Sequence, residues 1–379
     1  MKKIKMILTN SFKADIRVLK EAKTLAENGY DIEILCWDRE NEFLDKEKEN
    51  LERIKIRRFY PFANYGSGLK QIIPFFKFVF QIRNYLKDKE FDIIHAHDLD
   101  GLITGKLATI FKSKKFIYDS HEFFSGYSSN KIDKRIYCIE KIFLTKKDYI
   151  ITVSDTIAYN LNKFYKPKEI KVIRNIPYLK RIENKKNLLR EELNISEETI
   201  ILLYQGCILK GRGIKKILDL VEKLEEKYVA VFIGEGNYKN ELVNYALEKN
   251  ISHRIFFKDF VENKKLINYT NSADIGICTI EKKSLSYYYC LPNKLFEFIQ
   301  GEIPIIGSNF PDLENLILKY GIGITIDPDK LEKTASIIPK LLEQKEQYLE
   351  KIRYCKQELN WECESKKLLE LYRNIGDKK

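Results

Sequence analysis

Short apolar runs of strand length alternate with helical patterns along nearly the whole chain, and this alternation restricts the fold more than any other feature. Strands separated by stretches long enough for a crossover helix predict a parallel sheet covered by helices on both faces. In the first half the runs are Ile4–Leu8, Ile32–Cys36, Ile54–Phe59, Ile93–His97, Lys115–Tyr118, Tyr149–Val153 and Lys171–Ile173. Between the first two, Ile16, Leu19, Ala22 and Leu25 recur at near-helical spacing, which predicts a helix from Asp15 to Asn28 closed by Gly29. The charge-rich stretch 177–197 breaks the rhythm and reads as an interdomain connection. A second series follows at Thr199–Tyr204, Val229–Ile233, Arg254–Phe257, Ile275–Ile280, Ile303–Ile306 and Gly323–Ile326, then helical patterns at 330–345 and 361–375. Two similar α/β units with a ligand cleft between them are expected.

The 379 residues exceed one ordinary core and suit two. Hydrophobic residues make up 44% and charged residues 32%, which excludes a disordered chain. The basic start leads into an apolar run of only Met6-Ile7-Leu8, too short for a signal-peptide core, so a first strand is expected there. No window approaches the roughly 20 apolar residues of a membrane span. Seven scattered cysteines without a C-x-x-C pair read as reduced thiols of a cytoplasmic protein, not a disulfide frame or zinc site.

The net charge of +12 fits either a solvated basic surface or attraction to an anionic membrane surface. Nucleic acid is not expected as a partner, because the aromatics sit in apolar runs rather than between basic residues. Residues 69–86, LKQIIPFFKFVFQIRNYL, combine Phe and Ile with Lys70, Lys77 and Arg83. This segment suits a headgroup layer, or equally a buried helix bent at Pro74.

Several places carry candidate chemistry. In Ser286–Ser308 a Pro-Asn-Lys turn opens a helix that carries Glu297 and stops at Gly301; the exposed N–H groups of such a helix start attract phosphate. In Tyr204–Lys216 the glycines 206, 211 and 213 permit close backbone approach, and Lys210 and Arg212 can neutralise phosphate. Gly234-Glu235-Gly236 ends the next strand, where a base or sugar can rest. In the first half, His95, His97 and His121 end adjacent strands. A zinc reading of the three lacks a defined fourth ligand. His121 at the sheet edge can donate to a bound substrate. Asp98-Leu-Asp100 matches a D-x-D metal motif, but at a helix start a capping role is expected for Asp100. No nucleophile elbow or cysteine-nucleophile signature is present.

Taken in order, Asp15-Ile-Arg-Val-Leu-Lys-Glu-Ala22, Phe91–Asp98, Ile117–Glu122, Ile151–Ser154, Val172–Asn175, Gly211-Arg-Gly213, Ser272–Ile275 and Pro292–Glu297 resemble the retaining GT-B glycosyltransferases of the family 4 type. The resemblance implies a GT-B fold of two Rossmann-like domains with parallel sheets facing across a cleft. It places an acceptor-binding domain at 1–177, a nucleotide-sugar-binding domain at 178–360, and a final helix, 361–379, packed back on the first domain. It implies a UDP- or GDP-linked sugar donor as substrate, no cofactor and no metal. Glu297 would hold the donor ribose, Asn293 and Lys294 would face the sugar and diphosphate, Arg212 would pair with the diphosphate, and His121 would lie near the transferred sugar. Gly206, Lys210 and Gly213 complete the expected donor loop.

This chain departs from the family pattern twice: Tyr289 stands where the first glutamate of the E-x7-E motif belongs, and Cys207 where a basic residue is usual. The donor-sugar contact then falls to Tyr289, Asn293 or Lys294. The implied activity is transfer of a sugar to a lipid-linked or polysaccharide acceptor by a cytoplasmic enzyme that can sit peripherally on the inner membrane face. A GT-B nucleotide-sugar 2-epimerase would need further carboxylates as acid and base, and a donor-binding protein without activity is the third reading.

Overall fold

The computed structural model describes residues 1–13, 15–182 and 187–377. Residues 183–186 of the connecting stretch and the last two residues of the expected final helix, 361–379, lie outside the described residues. The chain divides into two compact units. Met1–Tyr127, Ile132–Arg174 and Ser365–Lys379 form the first; Ser128–Lys131 and Asn175–Glu364 form the second. The division thus falls after Arg174 rather than after residue 177. The Pro177 carbonyl accepts from the Trp361 N–H at 2.9 Å, which ties it to the second unit.

The first unit holds an eight-stranded sheet: β1 (Lys3–Leu8), β2 (Asp31–Trp37), β3 (Lys48–Leu51), β4 (Ile54–Phe59), β5 (Ile93–His97), β6 (Lys115–Ser120), β7 (Tyr149–Thr152) and β8 (Glu169–Val172). Their spatial order is β3-β4-β2-β1-β5-β6-β7-β8. All neighbours are parallel except β3, an edge strand that pairs antiparallel with β4. The apolar pattern does not reveal β3, because its sequence KENL has no buried face and is ordered by the β4 ladder alone. The helix after β1 runs Ile16–Glu27, with the Asp15 carboxylate accepting from Val18 N–H as its N-cap.

The second unit holds β9 (Ile200–Gln205), β10 (Tyr228–Ile233), β11 (Ile255–Lys258), β12 (Ile275–Cys278), β13 (Ile305–Ser308) and β14 (Gly323–Ile326), ordered β11-β10-β9-β12-β13-β14 and wholly parallel. Period-two alternation sends Ile201, Leu203, Val229 and Val231 into the core on one face. Leu202, Tyr204, Ala230 and Phe232 enter the core on the other. Both faces are therefore buried, which is why these strands read as unbroken apolar runs. Two expected boundaries shift. β13 starts at Ile305 rather than Ile303 because Pro304 has no N–H to give the ladder, although its carbonyl accepts from Gly276 N–H at 2.8 Å. β12 ends at Cys278 because the Ile280 N–H turns to Ser308 Oγ at 2.9 Å.

In both sheets the first strand is central, and the chain order reverses beside it, between β1 and β5 and between β9 and β12. At such a switch point neighbouring crossovers leave in opposite directions and open a crevice beyond the C-terminal strand ends. The candidate residues of both units lie there.

Candidate functional site

In the second unit the end of β9 passes into a loop whose glycines 206, 211 and 213 all have φ between +74° and +119°. The backbone here is accessible to glycine with little strain. Gly213 is the N-cap of the helix Ile214–Lys223, and Pro292 is that of the helix Asn293–Gln300; neither helix receives a side-chain capping bond. Apart from the Leu295 N–H, which donates to Pro292 O at 3.1 Å, their first-turn N–H groups and the positive ends of their dipoles are left for another partner.

Gly234 and Gly236 have a packing role that the sequence did not reveal. A Cβ on Gly234 would lie 2.2 Å from the Gly206 carbonyl oxygen, and one on Gly236 would lie 2.1 Å from that of Ile208. These glycines let the two loops pack backbone to backbone, and the Ile208 N–H donates to Glu235 O at 2.8 Å.

Lys294 lies with its Nζ 3.4 Å from the centre of the Tyr204 ring, buried and without a hydrogen-bond partner. Burial, with added repulsion from Arg212, lowers its pKa from 10.5 to about 8 despite the nearby Glu297 carboxylate. A Cβ on Gly206 would sit 3.9 Å from this amine, and one on Gly213 would sit 2.8 Å from Thr279 Oγ1. Thr279 Oγ1 and Lys294 Nζ are, among the described residues, the two buried side-chain polar atoms of this unit that lack a hydrogen-bond partner. Both adjoin the same glycine loop.

Glu297 is held through a chain of hydrogen bonds: Thr270 Oγ1 donates to Gln205 Oε1 at 2.9 Å, and Gln205 Nε2 donates to Glu297 Oε2. Arg212 spreads its guanidinium over the Tyr287 ring at 4.9 Å. Lys210 is exposed and paired with Glu241 at 2.6 Å. Asn293 is exposed at the helix start, and half-buried Tyr289 ends the short helix Leu285–Tyr289 with its ring 5.4 Å from that of Tyr288. Tyr204, Gln205, Thr279 and Tyr287 were not legible as site residues; they gain their roles from packing against residues that were.

In the first unit, parallel pairing sets His97 opposite Asp119 in the β5–β6 register. His95 and His97 share a face and stack at 4.3 Å. His97 Nδ1 is 3.2 Å from His121 Nε2, which is itself 3.2 Å from Asp119 Oδ2. Arg17 grips Asp119 with Nη2 at 2.7 Å and Nε at 3.1 Å, and also pairs with Glu21 at 3.1 Å. Tyr372 Oη, from the helix Trp361–Asp377, lies 2.8 Å from His95 Nδ1.

Burial alone would lower the pKa of His121, but the Asp98 and Asp119 carboxylates raise it to about 9, so it is a cation at neutral pH. Burial holds His97 neutral, near 3, and raises Glu21 to about 8. Asp98 begins its helix at φ +61°, a strained conformation for a residue with a Cβ; its carboxylate accepts from His121 N–H at 3.3 Å and pairs with Nδ1 at 3.4 Å. Asp100 makes no capping bond. It lies with Arg39, Asp98 and Gln71 on the wall of a cavity of about 620 Å³. Glu21, His95, His97 and Asp119 bring one ligand atom each within 4.8 Å of one another. The Arg17 guanidinium donates to both Asp119 oxygens, so this carboxylate is already paired with a cation.

A glycosyltransferase family 4 model matches residues 15–176, and a glycosyl transferases group 1 model matches residues 185–358. The chain belongs to the GT-B glycosyltransferase superfamily. It is 24% identical to the capsular polysaccharide biosynthesis glycosyltransferase CapH of Staphylococcus aureus, over 71% of this chain and 74% of that protein. The fold matches sucrose-phosphate synthase from Thermosynechococcus elongatus with a TM-score of 0.83 at 18% identity, covering 99% of each chain. It also matches Anabaena HepE in complex with UDP-glucose, with a TM-score of 0.78 at 13% identity over 99% of this chain and 100% of that one. In this glycosyltransferase the two switch-point crevices thus carry different chemistry: an uncapped, cationic loop in the second unit and a charge-compensated histidine cluster in the first.

Proposed function

We propose that this glycosyltransferase moves a sugar from a UDP- or GDP-linked donor to a lipid-linked or polysaccharide acceptor in cell-surface glycan synthesis, with retained configuration and without a metal ion. The observation that carries the donor reading is the pair of unpartnered buried atoms, Lys294 Nζ and Thr279 Oγ1, beside a glycine loop and two uncapped helix starts. A buried amine without a partner costs free energy unless an anion completes it. A diphosphate supplies that anion.

In this reading Lys294 and Arg212 meet the diphosphate, Gly206 and Gly213 admit it, and Glu297, oriented by Gln205, takes the ribose hydroxyls. Lys210 joins them by leaving Glu241, a solvated pair that is easily broken. Tyr289 and Asn293 border the transferred sugar. As the sugar–phosphate bond breaks, negative charge grows on the leaving diphosphate. Fixed cations and helix N-termini stabilise that charge without reorganisation. The acceptor hydroxyl attacks from the same face of the sugar, and its proton passes to the phosphate oxygen that leaves. The UDP-glucose complex of HepE supports a nucleotide-sugar donor, and the capsular role in the name of CapH supports the acceptor class.

The test is calorimetric titration with UDP, GDP, ADP and their sugars. The preferred nucleotide at 100 times its dissociation constant should stabilise the protein by about 2.7 kcal/mol. Arg212→Ala should lose ~10²-fold or more in transfer rate. Binding of no nucleoside diphosphate, or normal turnover in Arg212→Ala, would refute the assignment.

A further inference from the structure

The segment from Gly68 to Lys87 carries two apolar stripes where a surface helix ordinarily carries one. Phe78, Val79, Ile82 and Leu86 are buried and account for its packing on the first unit. On the other side Leu69, Ile72, Ile73, Phe76 and Phe80 recur at three- and four-residue spacing, with exposures of 83, 47, 70, 54 and 63%. The expected buried helix is therefore only half buried. Pro74 does not interrupt it, because in the first turn its missing N–H would have had no partner within the helix. Phe111, 85% exposed, extends the patch: the Arg83 guanidinium lies 5.2 Å from its ring centre.

Scattered exposed apolar residues need no explanation, but an aligned stripe of large ones marks a contact surface. The charges select the contact. From residue 68 to 87 the chain has Lys70, Lys77, Arg83 and Lys87 and no acidic residue. A stripe of Phe and Ile flanked only by cations fits a hydrocarbon boundary beneath anionic headgroups, with the Lys and Arg stems reaching outward. No described helix is long and apolar enough to cross a membrane, so the contact is interfacial.

We infer that this face docks the protein on an anionic lipid surface. Ile73, Phe76 and Phe80 enter the acyl boundary, and Lys70, Lys77 and Arg83 meet the phosphate headgroups. Gln71, at the foot of the helix, lines the 620 Å³ cavity with Arg39, Asp98 and Asp100. A lipid-linked acceptor would thus present its sugar to that cavity at the membrane surface. That last step rests on the proposed function; the docking surface does not.

The experiment is co-sedimentation of the full chain with vesicles of phosphatidylcholine alone or mixed with phosphatidylglycerol, at low and high salt. The protein should pellet with the anionic vesicles and be partly released by salt. A triple Ile73→Ser, Phe76→Ser, Phe80→Ser variant should bind about ten-fold or more weakly, with unchanged thermal unfolding and nucleotide binding. A Lys70→Gln, Lys77→Gln variant, which keeps the apolar stripe, should lose preference for the anionic lipid. Absence of vesicle binding, or equal binding by the serine variant, would overturn the inference. So would a dimer in sedimentation velocity that the serine variant abolishes, since the stripe would then join two copies. Nucleotide titration without vesicles reads the donor site separately.

Discussion

Replacing Lys294 by Met should change stability and donor binding in opposite directions. Met has a similar reach and suits a buried apolar position, but carries no charge. The fall of the amine pKa from 10.5 to about 8 means that keeping it charged in the folded state costs roughly 3 kcal/mol below pH 8, at 1.36 kcal/mol per pH unit. The contact with the Tyr204 ring returns about 1–2 kcal/mol of this. About 1–2 kcal/mol of net cost remains in the ligand-free protein, and Met removes it. The variant should therefore unfold a few degrees higher at pH 7, at roughly 2–4 °C per kcal/mol for a unit of this size. The sign fixes the pH window. The penalty is fully present below pH 8 and fades towards 10.5, where folded and unfolded chains both lose the proton. Calorimetric scans at pH 7 and above pH 10 should show the stability gain shrinking. Loss of a charged donor to the diphosphate should weaken binding of the preferred nucleotide by about 1.5–3 kcal/mol, roughly ten-fold to more than a hundred-fold. Unchanged nucleotide affinity would remove Lys294 from the donor site. A less stable variant at pH 7 would show that the amine carries no desolvation cost and refute the reasoning.

Two further outcomes follow from the first unit. His121, with a pKa of about 9 against 6.5 for an ordinary histidine, contributes stability that is full below pH 6.5 and lost as the pH rises through 9. Urea unfolding of wild type between pH 6 and 9 should show that loss, and His121→Asn should flatten it. Tyr372→Phe leaves the buried His95 Nδ1 without its hydroxyl partner and should cost about 1–3 kcal/mol in urea unfolding. The His121 imidazole NMR titration should move as well, because the His95–His97–His121 chain links the two residues; a destabilised variant with an unmoved titration would assign Tyr372 to packing alone.

The strand–helix alternation was legible because a parallel sheet buries both faces of each strand, as Leu202 and Leu203 show by entering opposite cores. A helix start at Asp15 and a helix stop at Gly301 were equally local. Strand β3 was not, since its four residues bury no apolar face and exist as a strand only against β4. Gly234 and Gly236 carry a turn signal in sequence, but whether they admit a ligand or another backbone depends on Gly206 and Ile208 across the sheet edge.

By itself the sequence determined the α/β class and singled out the Gly206–Gly213 loop, the Pro292–Glu297 turn and His121 as candidates. Only the tertiary structure decided the partners of these residues. Gln205 meets Glu297 across 92 positions, Arg17 meets Asp119 across 102, and Tyr372 meets His95 across 277. The order of parallel strands brings their C-terminal ends together irrespective of distance along the chain. The charge of His121, the cost carried by Lys294 and the exposed second stripe at Phe76 and Phe80 follow from what each side chain is packed against. Local composition does not encode those neighbours.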